Sequence, residues 1–281
     1  MRSEDFPKIS IVTPSLNQSR FLEAAINSVV SQKYPDFQYF VMDGGSSDGS
    51  VEIIRKYSDR IDFWRSGDDR GQADAIYQGF ERSSGDILGW LNSDDLLLPG
   101  CLEKVGSYFA KHPEIDCVVG GSILIDESGT SLGIVDGKPA FNLGTVQNFR
   151  KLLLWECGGF YQPASFWRRN AFFDEGGFDR ELSFCFDYDM YLRLARRGPF
   201  GLIEDFLASF RVHSTSKTNT MSDVWRTERD AVLKQHGRNK VPALARYIIR
   251  RCYVLADSIR KKRLKSGLKS GRIVLPGASL N

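Results

Sequence analysis

The chain has 281 residues, of which 42% are hydrophobic and 26% charged, so it can bury a sizeable core and is not globally disordered. Its length suits one large domain, or one domain with an appendage. The formal charge of +3 hides an asymmetry: residues 234–281 hold 13 Lys/Arg against a single acid, Asp257, a net of +12, and the preceding 233 residues carry 25 basic and 34 acidic groups, a net of −9.

Taken in chain order, strands and helices alternate. Lys8–Thr13 reads as a strand stopped by Pro14, and Phe21, Leu22, Ala25, Ile26, Val29 and Val30 follow at helical spacing until Tyr34-Pro35. Phe37–Met42 is the second strand, closed by Asp43-Gly44-Gly45. A helix near Val51–Tyr57, a strand near Ile61–Trp64, a helix over Gln72–Arg82 and a strand at Asp86–Leu91 complete the series. This alternation predicts an α/β domain with a mostly parallel sheet flanked by helices, and ligands at the carboxyl ends of its strands. Past Pro99 we expect a helix over Cys101–Lys111, strands at Cys117–Val119 and Ser122–Asp126, and a hairpin or loop from Gly129 to Gly144. Strands at Tyr161–Trp167 and Leu202–Val212, a helix between them over Tyr188–Arg197, and a helix over 221–236 are expected next. The break in charge divides the chain into a body, 1–220, a basic amphipathic helical extension, 221–265, and a frayed end, 266–281.

The strand ends carry the polar chemistry. Thr13-Pro14-Ser15-Leu16-Asn17, Asp43–Gly49 and Ser66–Gly71 are rich in small residues that let a nucleotide approach the backbone, and each is equally an ordinary turn sequence. Thr13–Asn17 has no glycine, which argues against a GxGxxG dinucleotide site. The fourth strand ends in Trp90-Leu91-Asn92-Ser93-Asp94-Asp95. Two adjacent carboxylates there need a cation or strong donors, and hard oxygen ligands suit Mg²⁺ or Mn²⁺. The competing assignment is a helix cap or a solvated pair. A second acidic pair, Asp187 and Asp189, lies among Phe184, Phe186, Tyr188, Met190 and Tyr191, where desolvation raises a carboxylate towards the range of a base. One of the two is expected to cap a helix instead. His213, after the strand at Leu202–Val212, is either a packing residue or a ligand amid basic and hydroxyl groups that suit a diphosphate.

Together these segments resemble family 2 glycosyltransferases with the GT-A nucleotide-sugar-binding fold. The matching text is Val12–Asn17, Val41–Gly49, Asp69–Ala75, Gly85–Asp95, Gln162-Pro163-Ala164, Gly176–Asp179, Asp187-Tyr188-Asp189 and the His213 segment, in the family's order. The resemblance implies an inverting transfer of a sugar from a nucleotide-sugar donor, UDP-linked by default, to a carbohydrate or lipid-linked acceptor in polysaccharide or glycolipid assembly. It implies Asp43 as the acceptor of a nucleobase N–H, with Thr13, Pro14 and Ser15 lining that pocket and Asn17, Gly71, Asp74 and Asp94 elsewhere on the nucleotide. Asp95, with Asp94 and His213, would hold Mn²⁺ or Mg²⁺. Asp187 is the implied catalytic base, and Gln162, Trp90 and Asp189 fall in the acceptor or donor-sugar region. The sequence departs from the family pattern twice: the metal motif reads Ser93-Asp94-Asp95 rather than a strict Asp-x-Asp, and Phe186 stands where Glu is common.

Two other readings compete. A sugar-1-phosphate nucleotidyltransferase would carry a Gly-rich basic loop after its first strand, which Thr13–Asn17 lacks. A silent nucleotide-sugar-binding protein would not need Asp43, Asp95 and Asp187 together. In the basic tail, Leu244, Ile248, Cys252, Leu255 and Ile259 form one helical stripe, followed by Arg260-Lys261-Lys262-Arg263. The stripe either packs on the body or rests on an anionic membrane surface; no nucleic-acid-reading motif is present. Five cysteines, at 101, 117, 157, 185 and 252, form no CxxC pair, and no apolar run nears the roughly 20 residues of a membrane-spanning helix. The N-terminal residues lack an apolar h-region, so a cytoplasmic protein, peripheral at the inner face of the membrane, is expected.

Overall fold

Within residues 6–155 and 160–276, which the computed structural model describes, the first half alternates as its hydrophobic periods require. It runs β1 (Ile9–Ser15), α1 (Ser19–Val30), β2 (Phe37–Asp43), α2 (Ser50–Lys56), β3 (Phe63–Ser66), α3 (Gln72–Arg82) and β4 (Ile87–Trp90). The second half runs β5 (Leu96–Leu97), α4 (Cys101–Lys111), β6 (Cys117–Ile125), β7 (Ile134–Val135), β8 (Lys138–Pro139), β9 (Phe141–Asn142) and α5 (Phe149–Trp155). It continues through β10 (Ser165–Arg168), α6 (Arg169–Asp174), α7 (Phe186–Arg197), β11 (Gly201–Arg211), α8 (Lys217–Thr220), α9 (Ser222–Gln235) and α10 (Ala243–Lys269).

The main sheet is ordered β3-β2-β1-β4-β10-β6-β11-β5, with β9 against β6. Its first four strands are parallel, β10 runs antiparallel to both neighbours, and β6 and β11 are parallel again. Every residue of β1 is buried, as expected of a strand covered on both faces. Period-2 alternation sends Ile9 and Ile11 into a layer with Leu22 and Ile26 of α1 and Leu102 and Val105 of α4. Val12, Phe40 and Met42 join the opposite layer, with Ile76 and Phe80 of α3, Phe172 of α6 and Leu192 of α7. Helix α3 lies so close to β1 that a Cβ on Gly79 would stand 2.7 Å from the Val12 methyls, so only glycine fits there.

Several boundaries differ from the sequence expectation. Pro14 does not stop β1: the strand runs on to Ser15 paired with β2 alone, because the last rung shared with β4 is at Val12, and that edge needs no further N–H donor. Tyr161–Trp167 is not one strand; Gln162–Ala164 form a 3₁₀ turn and β10 begins at Ser165. Helix α7 starts at Phe186, two residues before the expected Tyr188, which brings Asp187 into its first turn. The extension from 221 shares the main core, since α9 buries Val232 and Leu233 beside α7. The expected fraying at 266 is also corrected: α10 continues to Lys269, and Leu268, Ile273 and Leu275 pack against a small cluster formed by Leu96, Ile125, Phe141 and Leu264. Residues 277–281, and Cys157, lie outside the described residues. No helix among the described residues is long and apolar enough to cross a membrane.

Candidate active site

The carboxyl ends of β1 and β4 and the loop after β3 open onto one cleft of about 460 Å³. Its lining includes Pro14, Ser15, Gly71, Gln72, Trp90, Asn92, Asp94, Asp95, Gln162, Phe186, Asp187 and Lys217. A larger, more open hollow of about 550 Å³ lies beside Ser46, Arg55, Trp64 and Ser66. Its single acid is Glu52, so the chemistry belongs to the cleft, where the carboxylates converge.

Aromatic packing sets the position of the β4 end. Trp90 wedges between Trp167, Phe178 and Phe186, with ring centroids 5.4–5.9 Å away. Its indole N–H donates to Asn92 Oδ1 at 3.2 Å. Asn92 is the centre of a network that the sequence reading did not isolate. It also accepts from Gln72 Nε2 at 2.7 Å and donates to Asp95 Oδ2 at 3.3 Å and to Gln162 Oε1 at 3.1 Å. Gln72 Oε1 in turn accepts from Lys217 Nζ at 2.7 Å. One chain of hydrogen bonds therefore joins α3, the loop after β4, the 3₁₀ turn and α8 around the cleft.

Asp95 is buried, and its Oδ1 accepts the Arg211 amide at 2.9 Å. Burial, with the neighbouring Asp94 charge added, raises its pKa well above the usual carboxylate range. Asp94 Oδ2 meets His213 Nε2 at 2.9 Å, and Thr215 Oγ1 sits 3.0 Å from His213 Nδ1, fixing the ring. These groups fit a divalent cation: Asp94 and Asp95 both line the cleft, and a cation beside Asp95 would favour the ionised form that burial opposes. No group of three or more His, Cys, Asp or Glu among the described residues is gathered to hold a metal alone. An ion here would complete its shell with phosphate oxygens and water, as Mg²⁺ commonly does.

Asp187, also in the lining of the cleft, is partly exposed in the first turn of α7, where its Oδ1 accepts the Tyr188 amide at 2.7 Å. Burial lifts its pKa to about 6, while the Tyr188 amide and the Lys217 charge hold it from rising further. Neither Asp187 nor Asp189 caps the helix. Glu228 of α9 instead anchors the segment leading into it: its carboxylate accepts the amides of Ser183, Phe184 and Cys185 at 2.8 Å each, a contact between distant segments that no local motif announces. Lys217, close to Phe184 and Phe186, has its pKa lowered by burial.

Pro14, Ser15, Gly71, Trp90, Asp94, Asp95, Gln162 and Asp187 thus come together at the cleft, and His213 stands behind Asp94. Five other predicted residues lie outside its walls. Asp189 is placed furthest from its expected role: it is buried, ion-paired with Arg193 and in hydrogen-bond contact with His236 Nε2, at 2.7 Å from each. Those two partners hold its pKa low against the effect of burial. Thr13 accepts the Tyr39 hydroxyl inside the core, and Asp74 is engaged by Gln78 and Arg180. Asn17, at φ +53°, ties the β1 end to Ser46 and Ser47. Asp43 is fully buried and already accepts from Gly45, both donors of Ser46, and Ser66, so a nucleobase reaches it only by displacing one of these.

A parallel sheet ending in an acid-lined cleft, continued by the mixed strands β10, β6 and β11, is a GT-A fold. The chain belongs to glycosyl transferase family 2, whose family model matches residues 10–174. It is 28% identical over 221 residues to an uncharacterized glycosyltransferase of Rickettsia felis, covering 77% of this chain and 36% of the relative, so the chain spans about a third of that protein. Chondroitin synthase of Escherichia coli is 24% identical over 82% of this chain and 32% of its own length. Among solved structures, Staphylococcus aureus TarS 1–349 in complex with UDP-GlcNAc aligns with a TM-score of 0.62 and 15% identity, over 82% of this chain and 66% of that 1–349 chain. Mannosyltransferase PcManGT of Pyrobaculum calidifontis, in complex with GDP-Man and Mn²⁺, aligns at 0.54 and 17% identity, over 82% and 63%.

Proposed function

We propose that the protein is an inverting glycosyltransferase that moves a sugar from a nucleotide-sugar donor to an acceptor hydroxyl, with Asp187 as the base. The observation that carries this is Asp187 itself: a carboxylate raised to about 6 that lines the same cleft as Asp94 and Asp95, and the cleft is large enough for a sugar diphosphate. As the acceptor oxygen bonds to the anomeric carbon, Asp187 takes its proton. The bond from that carbon to the diphosphate oxygen breaks, and its electron pair leaves with the nucleoside diphosphate. Mn²⁺ or Mg²⁺ held by Asp94 and Asp95 in the cleft, with His213 behind Asp94, would supply charge compensation on the departing diphosphate. Lys217 adds a fixed positive charge in the same cleft and keeps Asp187 poised. A UDP-linked donor is in keeping with the UDP-GlcNAc complex of TarS. Asp187→Asn should lower transfer by about 10²–10⁴-fold and leave nucleotide affinity unchanged. Near wild-type turnover by that variant would refute the assignment.

We also propose that α10 seats the enzyme on an anionic membrane, near a lipid-linked or surface-polysaccharide acceptor. The inward face of α10 carries Ile249, Tyr253 and Leu264, with Tyr253 stacked on Trp155 of α5. Its stripe faces outward: Leu244 is 71% exposed, Ile248 52%, Leu255 64% and Ile259 47%. Helix α10 thus packs on the body through its other face, as one of the two expectations had it, and leaves this stripe exposed. The surrounding charge, +12 over residues 234–281, opposes pairing with a second copy of the helix and complements anionic headgroups.

A further inference from the structure

A second, smaller cavity of about 170 Å³ meets the cleft at Asp187, which lines both, as do Gln162 and Phe184. We propose that this cavity is the acceptor subsite, that it takes one hexopyranose ring, and that Trp225 of α9 sets its specificity. The inference rests on Asp187 being the base. At roughly 30 Å³ per water the cavity has room for about six waters, which suits one monosaccharide and excludes a nucleotide.

The chemistry of the wall favours a sugar over an acyl chain. Phe160, Phe184, Tyr188, Tyr191 and Trp225 supply five aromatic side chains against a single aliphatic one, Leu152. Aromatic faces carry negative quadrupole density that attracts the C–H face of a pyranose. The hydroxyls of the two tyrosines are already engaged, Tyr188 with the Leu152 carbonyl and Tyr191 with Ser165 Oγ, both at 2.6 Å, so the rings rather than the polar tips are offered to a ligand. The polar groups at the junction, Asp187 and Gln162, suit a ligand with hydroxyls, and a carboxylate in the wall penalises an alkyl chain. Trp225 is braced by the Arg229 guanidinium, 4.5 Å over its ring. Trp225 and Arg229, the part of this wall that α9 supplies, fall beyond the 10–174 match.

The test is saturation-transfer NMR on the full chain with UDP, using a panel of methyl hexopyranosides at millimolar concentration and octyl sulfate as the lipid-like probe. At least one glycoside should bind through its C–H face, and Trp225→Ala should weaken it by tenfold or more with UDP affinity unchanged. Trp225→Phe, which keeps an aromatic face, should retain binding within about threefold. Trp225→Leu, which keeps only apolar bulk, should lose it; thermal melts of all variants identify any that fail to fold. Equal glycoside signals in wild type and Trp225→Leu, no glycoside signal at all, or octyl sulfate binding in place of a glycoside would each overturn the proposal. Loss of the base assignment would show separately, as turnover that survives Asp187→Asn.

Discussion

Burial and charge at single residues set the pH behaviour expected of the cleft. Asp187 must be ionised to accept a proton, so with its pKa at about 6 the rate should fall roughly tenfold per unit below that pH and level off above it. Lys217→Met removes a charge that lowers this pKa, so the acidic limb of the pH–rate profile should move to higher pH. An unmoved limb would disconnect the two groups. The stability sign runs the other way from a paired carboxylate: the folded pKa lies above the reference of 3.8, so ionised Asp187 opposes folding once the pH exceeds that range. Asp187→Asn should then raise the melting temperature at pH 8 and change it little at pH 4. Asp94→Ala and His213→Ala should each abolish the extra thermal stabilisation that Mn²⁺ gives to the nucleotide complex, while nucleotide alone still binds. These acids stand out in the sequence because paired carboxylates in apolar surroundings need an explanation. Asn92 and Gln72 do not, since their importance comes from neighbours brought in by other segments.

At the scale of elements, the start of α7 depends on α9. Glu228 satisfies the amides of the three residues that lead into the helix, and those amides precede Asp187 by two to four residues. Glu228→Ala should cost about 2 kcal/mol of stability and lower kcat more than it changes donor affinity, because the first turn loses its anchor. Glu228→Gln, which keeps an acceptor oxygen, should recover part of both; a variant with unaltered kcat would make the contact a matter of stability alone. The strands and helices of the first half are legible because their periods of 2 and 3.6 are unbroken. The beginning of α7 is not, because the segment leading into it is anchored by residue 228, more than forty positions away.

For the whole molecule, the division of charge is the main feature. The body carries the carboxylates of the cleft, and α10 presents an outward apolar row within the basic segment. Binding to vesicles containing anionic lipid should weaken as salt rises from 0.05 to about 0.5 M, as the Debye length shrinks from above 10 Å towards about 4 Å. The paired substitution Ile248→Glu and Leu255→Glu should abolish flotation without lowering the melting temperature, because both side chains point away from the body. Equal flotation of the variant and wild type would remove the membrane from the account.

By itself, the sequence determined the alternating α/β order, the acidic strand end at Asp94-Asp95, the carboxylate at Asp187 and the basic C-terminal segment. Each is local: a period, a pair of like charges or a count. Tertiary structure decided which of the candidate residues share a cleft, turning Asp189 into an ion-pair partner and enclosing Asp43 among donors. It also decided that the apolar stripe of α10 faces outward, which its helical period alone leaves open. The physical reason is the same in each case. Periodicity says which residues lie together on a face, but what that face meets depends on the packing of segments far apart in the chain.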